Sequence, residues 1–329
     1  MTRHRFGKFS LFALAMLAFS GHADAQEAIP VRIGVITSGG QSEVPYAIKE
    51  FGLDKKYGFA MEQVDLSAPG QQWIMFRSDS IDVAPGSFVD LMRQRKAGVK
   101  IKAFHGFQTY SNRIVAKPDS PIKSFTDLKG RNFGQFGTTV LDWLIVRAAG
   151  LKAYNIDLEK DTTLVNGAPP LLNQLLNQGQ ADAILQFSSL TMGPVKKGDQ
   201  RIVTDVPTLM KEAGFGPGVL YTQWNVGEKW TEAHPGAIDK LDQMIEEAYA
   251  KLKSEEKVWA PLAARVGTKD EGGIKDYRDT ALQVDDPPYT QDMIAKTQTM
   301  VDAIVAIAGE QPLGFSKIDP DAFIFPAKP

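Results

Sequence analysis

Cysteine is absent from the 329 residues. That excludes disulfides, thiol nucleophiles and thiolate metal sites, so stability must come from an ordinary apolar core. Histidine is scarce: the chain has four, and only His105 and His234 lie beyond residue 25. Neither has a metal-ligating partner close in sequence, and two imidazoles alone make a poor zinc site. No Gly-x-Ser-x-Gly elbow and no Walker loop occurs. Neither sign of charge dominates, with 37 Lys+Arg against 39 Asp+Glu and a formal net charge of −2. No basic block of the kind that binds nucleic acid is present. Catalysis therefore has little to stand on: the expectation is no catalytic residue, no metal and no cofactor, although carboxylate pairs can assemble across a fold.

Long apolar runs are also missing. The longest early one, Phe9 to Phe19, falls well short of the roughly 20 residues that a membrane-spanning helix needs. Arg3, Arg5 and Lys8 precede it, and Ala23-Asp24-Ala25 follows. A positive start, a short apolar stretch and an A-x-A site make a secretory signal, expected to be cleaved after Ala25. No adjacent Arg-Arg pair occurs there, which favours the general secretory route. Without an N-terminal Cys to carry a lipid, the exported chain is expected to be free in a periplasm.

What the chain does have is a pair of similar stretches. Arg77-Ser78-Asp79-Ser80-Ile81-Asp82-Val83-Ala84 leads to Pro85-Gly86-Ser87, and Asn177-Gln178-Gly179-Gln180-Ala181-Asp182-Ala183-Ile184 leads to Leu185-Gln186-Phe187-Ser188-Ser189. Each follows a helix-like segment. Each gives a polar turn, an Asp between apolar residues, a short buried-strand signal and a Ser-containing loop. Two α/β lobes built on one plan would produce this, each presenting a small polar loop at a strand end, where open α/β sheets hold ligands.

The order of elements points the same way. β-branched and aromatic runs predict strands near residues 31–37, 61–66, 81–84 and 101–107, with helices between them. Tyr110 to Lys117 then follows a strand with no helix between. A second α/β run occupies residues 131–213, with Ser124-Phe125-Thr126-Asp127 as a capping box. Gly214 to Gly218 breaks it, Val219 to Trp224 returns as a strand, and helices fill the remainder. This predicts an α/β fold of two lobes, the second inserted into the first: residues 26–112 with 222–329, and 113–221. Two extended crossovers would form a hinge. A single large domain is the alternative that length allows.

Four phrases occur in order: Tyr57-Gly58-Phe59-Ala60-Met61-Glu62, Ser80-Ile81-Asp82-Val83-Ala84, Ile122-Lys123-Ser124-Phe125-Thr126-Asp127-Leu128-Lys129-Gly130 and Gly179-Gln180-Ala181-Asp182-Ala183. With them the chain resembles the periplasmic solute-binding proteins of ABC importers, in the branch serving nitrate, sulfonates, taurine and thiamine precursors. The resemblance implies a type II two-lobed clamshell. Its ligand would be a small organic anion, such as a sulfonate or aromatic carboxylate, or a heterocycle. It implies a membrane permease with a cytoplasmic ATPase as partner, and a monomer. Two other readings stay open: an enzyme on the same clamshell, like the thiamine-pyrimidine synthases, and a sensor partner that presents ligand to a receptor.

The contact loops implied by the resemblance match Ser38, Gly39, Gly40 and Gln41; Gly86 and Ser87; Gly137, Thr138 and Thr139; and Phe187 and Ser188. Gly137-Thr138-Thr139 stands out because a strand ends before it and a helix is expected to open there, offering free N–H groups to an anion. The competing use of Thr138 or Thr139 is to cap that helix. Among the aromatics, Phe187 and Trp73 are the candidates to floor the cleft. Asp82 and Asp182 are expected to hold turns, and Asp285-Asp286 to lie in solvent.

Overall fold

The structure, a computed structural model, describes residues 1–2, 27–36, 41–67, 70–216, 218–284 and 286–327. The expected cleavage point after Ala25 lies outside them. A first run holds β1 (Ile29–Ile36), α1 (Glu43–Glu50), α2 (Leu53–Lys56), β2 (Phe59–Leu66), α3 (Gln71–Arg77), β3 (Val83–Ser87), α4 (Phe88–Lys96) and β4 (Ile101–Gln108). A second holds β5 (Arg113–Ala116), β6 (Asn132–Gln135), α5 (Leu141–Tyr154), α6 (Leu158–Asp161), β7 (Thr163–Asn166), α7 (Pro169–Asn177), β8 (Ala183–Gln186), α8 (Ser188–Lys197), β9 (Arg201–Asp205) and α9 (Val206–Glu212). β10 (Thr222–Gly227) leads into α10 (Glu228–Ala233), α11 (Ala237–Ser254), α12 (Trp259–Arg265), α13 (Glu271–Val284) and α14 (Asp292–Ala308). No described helix is long and apolar enough to cross a membrane.

The strands form two five-stranded sheets, ordered β2-β1-β3-β10-β4 and β7-β6-β8-β5-β9. The two orders are equivalent. In each, three parallel strands are followed by one antiparallel strand that belongs to a crossing between the sheets. The paired Asp stretches are the stitches of this plan. At the start of β3 the Asp82 N–H donates to the Arg32 carbonyl, and the Asp82 carboxylate accepts from Arg32 N at 2.8 Å, Nε at 2.9 Å and Nη2 at 2.7 Å. Asp182 does the same for β8 against Asn132, accepting its N–H at 2.8 Å. Both Asp residues hold turns, as their sequence setting predicts.

The chain crosses between sheets twice, from Gln108 to Arg113 and from Glu212 to Thr222. The crossings are tied together: Tyr110 donates its hydroxyl to the Leu220 carbonyl at 3.0 Å, and its ring lies 4.2 Å from that of Tyr221. The capping box also forms, with Ser124 N–H donating to the Asp127 carboxylate at 2.9 Å at the start of a short 3₁₀ turn.

Three features depart from the sequence reading. Residues 188–197 form a helix, α8, where the sequence reading has a Ser-containing loop after the strand. α14 does not complete the first lobe, to which everything after residue 222 was assigned. It packs on α5 of the second, sharing one apolar core through Met300, Val301 and Ile304. The reason is that α5 buries Trp143, Leu144, Ile145, Val146, Ala148 and Ala149, so it is apolar on nearly every side and needs cover beyond its own sheet. The chain then returns to the first lobe, where Phe315 meets Phe88 and Phe323 bridges to Ala103. Asp286, finally, is not solvated but bound, as described below.

Candidate ligand cleft

The C-terminal ends of β3, β6 and β8 converge on a cleft between the lobes. Its larger chamber, about 750 Å³, is lined by Glu43, Asn112, Phe187, Ser188, Tyr221 and Tyr277 among others. A smaller chamber of about 220 Å³ is lined by Ser87, Arg93, Thr139, Asp142 and Tyr221. Tyr221, next to the second crossing, borders both.

The expected contact residues fall into three groups. Ser87, Thr139, Phe187 and Ser188 line the chambers. Ser87 caps α4, with its Oγ accepting from Asp90 N–H at 3.0 Å and donating to the Asp90 carboxylate at 2.8 Å. Ser188 opens α8 and is bonded to Ser111 through their hydroxyls at 2.9 Å. Phe187 borders the larger chamber, with its ring 4.7 Å from that of Phe136. Thr138 is exposed beside Thr139.

The second group is structural. Gln41 turns its Oε1 back to accept the Ile36 N–H at 2.9 Å, which closes the loop after β1. Gly86 sits in β3, opposite Gln223, and a Cβ there would lie 2.3 Å from Trp73 Cη2. Trp73 is only 5% exposed and stacks on Phe76 at 6.0 Å. It therefore belongs to the core of the first lobe and lines neither chamber, contrary to its expected place on the cleft floor. Gly137, with φ +152°, donates its N–H to Gln135. The third group, Ser38, Gly39 and Gly40, lies outside the described residues.

The helix expected at Gly137-Thr138-Thr139 begins later. Those residues form a turn, and α5 starts at Leu141 after an extended Val140. Its first turn carries Asp142, which is 4% exposed. A carboxylate thus occupies the positive end of this helix, where the sequence reading had placed a ligand anion. Burial raises the Asp142 pKa to about 6, against the pull of its own N–H and of Asn112. The Asp142 charge and burial push the Tyr221 hydroxyl well upward, and burial and Asp142 do the same to Tyr110.

The rest of the lining repeats this pattern. Glu43, in the first turn of α1, is buried, accepts the Tyr277 hydroxyl and is shifted upward by burial. Asp276 pairs with Lys196 of α8 at 2.9 Å, across the mouth between α13 and α8. Among the described residues, Arg93 is the one Lys or Arg that lines either chamber. It is already committed to the Leu313 carbonyl at 2.8 Å, the Pro312 carbonyl at 2.5 Å and Asp90 at 3.6 Å.

A second polar cluster lies behind β4. His105 Nδ1 is 2.7 Å from Asp242, Nε2 is 3.4 Å from Asp286, and the ring stacks on Tyr249. Asp286 also binds Lys253 at 2.5 Å. His105, Asp242 and Glu246 place ligating atoms within 4.8 Å of one another, an approach that sequence separation hides. Burial opposes protonation of His105, but bonds to Asp242 and Asp286 outweigh it and the net shift is upward. Asp286 is held low: burial pushes it up, and His105 and Lys253 prevail. The cluster is therefore a charge network that fastens β4 to α11 and to the segment after α13.

Residues 49–255 match the family model described as NMT1/THI5 like. The chain belongs to the NMT1/THI5-like family. No curated protein matches it significantly. Among solved structures, this family member is similar to the periplasmic aliphatic sulphonate binding protein SsuA from Escherichia coli, with 19% identity, a TM-score of 0.70, and 92% of this chain and 93% of that chain covered. It is also similar to the alkanesulfonate-binding protein SsuA from Xanthomonas axonopodis pv. citri bound to MOPS, with 15% identity, a TM-score of 0.64, and 91% and 99% covered. A DSZB mutant in complex with biphenyl-2-sulfinic acid has 16% identity and a TM-score of 0.57, with 86% and 95% covered. These likenesses give the NMT1/THI5-like chain the two-lobed fold of periplasmic binding proteins.

Proposed function

We propose that this protein is the extracytoplasmic solute-binding component of an ABC import system. It captures a small organic solute between its lobes and delivers it to a membrane permease. The observation that carries this reading is the cleft: a chamber of about 750 Å³ bordered by strand-end loops of both lobes, beside two chain crossings about which the lobes can close. Family membership and the solved sulfonate-binding neighbours support it. The ligand bridges the lobes and stabilises the closed form, which is the form the permease recognises. Residues 113–221 act as the inserted lobe. Cleavage after Ala25, a periplasmic location, a monomeric state and a cytoplasmic ATPase partner belong to the same reading.

A thermal-shift screen across sulfonates, aromatic carboxylates, nitrate and pyrimidines tests it. A ligand at 100 times its Kd adds about 2.7 kcal/mol of stability, which is readily seen. Turnover of any hit would favour the enzyme reading instead, and a screen in which nothing shifts the melt would count against solute capture.

A further inference from the structure

A concentration of ligating groups lies outside the cleft. Among the described residues, one group of three or more His and carboxylate side chains can hold a metal ion: His105, Asp242 and Glu246, with ligating atoms within 4.8 Å of one another. The fold builds it from two elements. Asp242 and Glu246 are four positions apart on α11 and so share a face of that helix. His105, on β4, turns its Nδ1 to that face, 2.7 Å from Asp242. His105 is 5% and Asp242 4% exposed. Asp286 stands on the other side of the ring, 3.4 Å from Nε2. All four border one chamber of about 310 Å³, walled by Phe104, Pro287 and Phe325. Its described lining carries three carboxylates and one imidazole, with neither Lys nor Arg. Lys253, which does not line it, binds Asp286 at 2.5 Å. Carboxylates crowded in a partly dry chamber favour a cation. The Tyr289 hydroxyl is an independent sign. It is buried, borders the same chamber and has no hydrogen-bond partner among the described residues. Native structures supply such an atom with a partner, and water on a bound cation is one.

We propose that this chamber is a metal site, in which His105, Asp242 and Glu246 ligate a divalent first-row transition cation such as Zn²⁺. One imidazole nitrogen and two carboxylates, without a thiolate, are donors for such ions, and the nitrogen disfavours Ca²⁺ and Mg²⁺. The cation takes the place of the His105–Asp242 hydrogen bond, whose proton leaves to solvent. His105 Nε2 then donates to Asp286, the carboxylate partner that fixes the ring of a ligating histidine. Water completes the shell on the chamber side and donates to the Tyr289 hydroxyl. The role is structural. The Asp286 N–H also bonds the Phe107 carbonyl at 3.1 Å, so the cation clamps β4, α11 and the start of the segment that runs from α13 to α14. The site is separate from the cleft and does not depend on solute capture.

Titration of the chelator-treated full chain with Zn²⁺ and Mg²⁺ by calorimetry tests this. His4→Gln, His22→Gln and His234→Gln together leave His105 as the one imidazole in the chain. That protein should take up Zn²⁺ at least about tenfold more tightly than Mg²⁺. X-ray absorption of the zinc form should show one imidazole nitrogen at about 2.0–2.1 Å, with oxygens completing the shell. Asp242→Asn and Glu246→Gln, which keep the side-chain shapes, should each weaken Zn²⁺ binding at least about tenfold while circular dichroism shows the fold intact. No uptake of Zn²⁺, a zinc shell without imidazole, or an affinity that survives both substitutions would overturn the proposal. The absorption spectrum decides the matter even if the carboxylate variants fail to fold. Each of these results leaves solute capture standing.

Discussion

Gly86→Ala is the sharpest test of how the first lobe is assembled. Gly86 is not among the residues with positive φ, so alanine suffers no backbone strain there and its whole effect is collision. The added Cβ would stand 2.3 Å from Trp73 Cη2, 2.6 Å from Cζ2 and 3.0 Å from Asn225 Nδ2. The indole is buried and stacked on Phe76, so it has nowhere to turn without disturbing α3. Overpacking of this kind costs about 1–3 kcal/mol, or a fall in Tm of a few degrees for a chain of this length. Trp73→Leu removes the colliding atoms and, as a large-to-small core change, costs about 2–4 kcal/mol alone. In that background Gly86→Ala should add less than about 0.5 kcal/mol, which makes the interaction energy of the pair at least about 0.5 kcal/mol. Urea unfolding followed by far-ultraviolet circular dichroism measures all four proteins. A Gly86→Ala variant within about 0.5 kcal/mol of the parent, or one equally destabilised with and without the indole, would refute the argument.

Other outcomes follow from the charge networks. The His105 pKa is raised, so its contribution to stability is complete below its unfolded value of about 6.5 and is lost as pH rises through the folded value. Asp286 is lowered, so its contribution is present above about 3.9 and is lost as pH falls through its folded value. The stability gap between the parent and His105→Gln, read by urea unfolding, should be widest near pH 5–6 and shrink towards pH 9; a flat gap would refute the network. Arg147 binds Asp157 through two bonds of 2.8 and 3.0 Å, both side chains being 5% exposed. Arg147→Ala should cost about 3–5 kcal/mol by stranding the carboxylate, and an Arg147→Met/Asp157→Leu double variant should recover at least half of it. Asp82→Ala loses three bonds from Arg32 and should cost about 2–3 kcal/mol, against about 1 kcal/mol for Asp182→Ala, which loses one. Equal losses at the two would break the explanation of the repeat.

The two-lobed plan was legible because its signals are local. A polar turn with Asp and then a short apolar run marks the start of β3 and again of β8, and Ser124 to Asp127 carries its own cap. The site was legible in part. Ser87, Thr139, Phe187 and Ser188 follow strands, and strand ends are where such folds open. Trp73 was misplaced because spacing on α3 does not reveal what its ring faces; the answer lies in Gly86, a residue that looked like a ligand contact and instead makes room for the indole. Asp142 was missed because an acidic residue in a first helical turn is ordinary, and nothing in its neighbours betrays burial. The His105 network was unreadable, since Asp242 lies 137 positions away.

The cover that α14 lays over α5 carries a consequence for how the chain comes into being. The second sheet has all its strands once β9 is made, and α9 then packs on α5, yet the part of α5 that α14 covers stays bare until that last long helix arrives. Between them come β10 and α10 to α13. At synthesis rates of about 5–20 residues per second, that interval is on the order of 5–20 s. Throughout it a nascent chain presents an uncovered oily surface, a natural target for a chaperone. The inserted half of this molecule is early in the sequence but late to be finished.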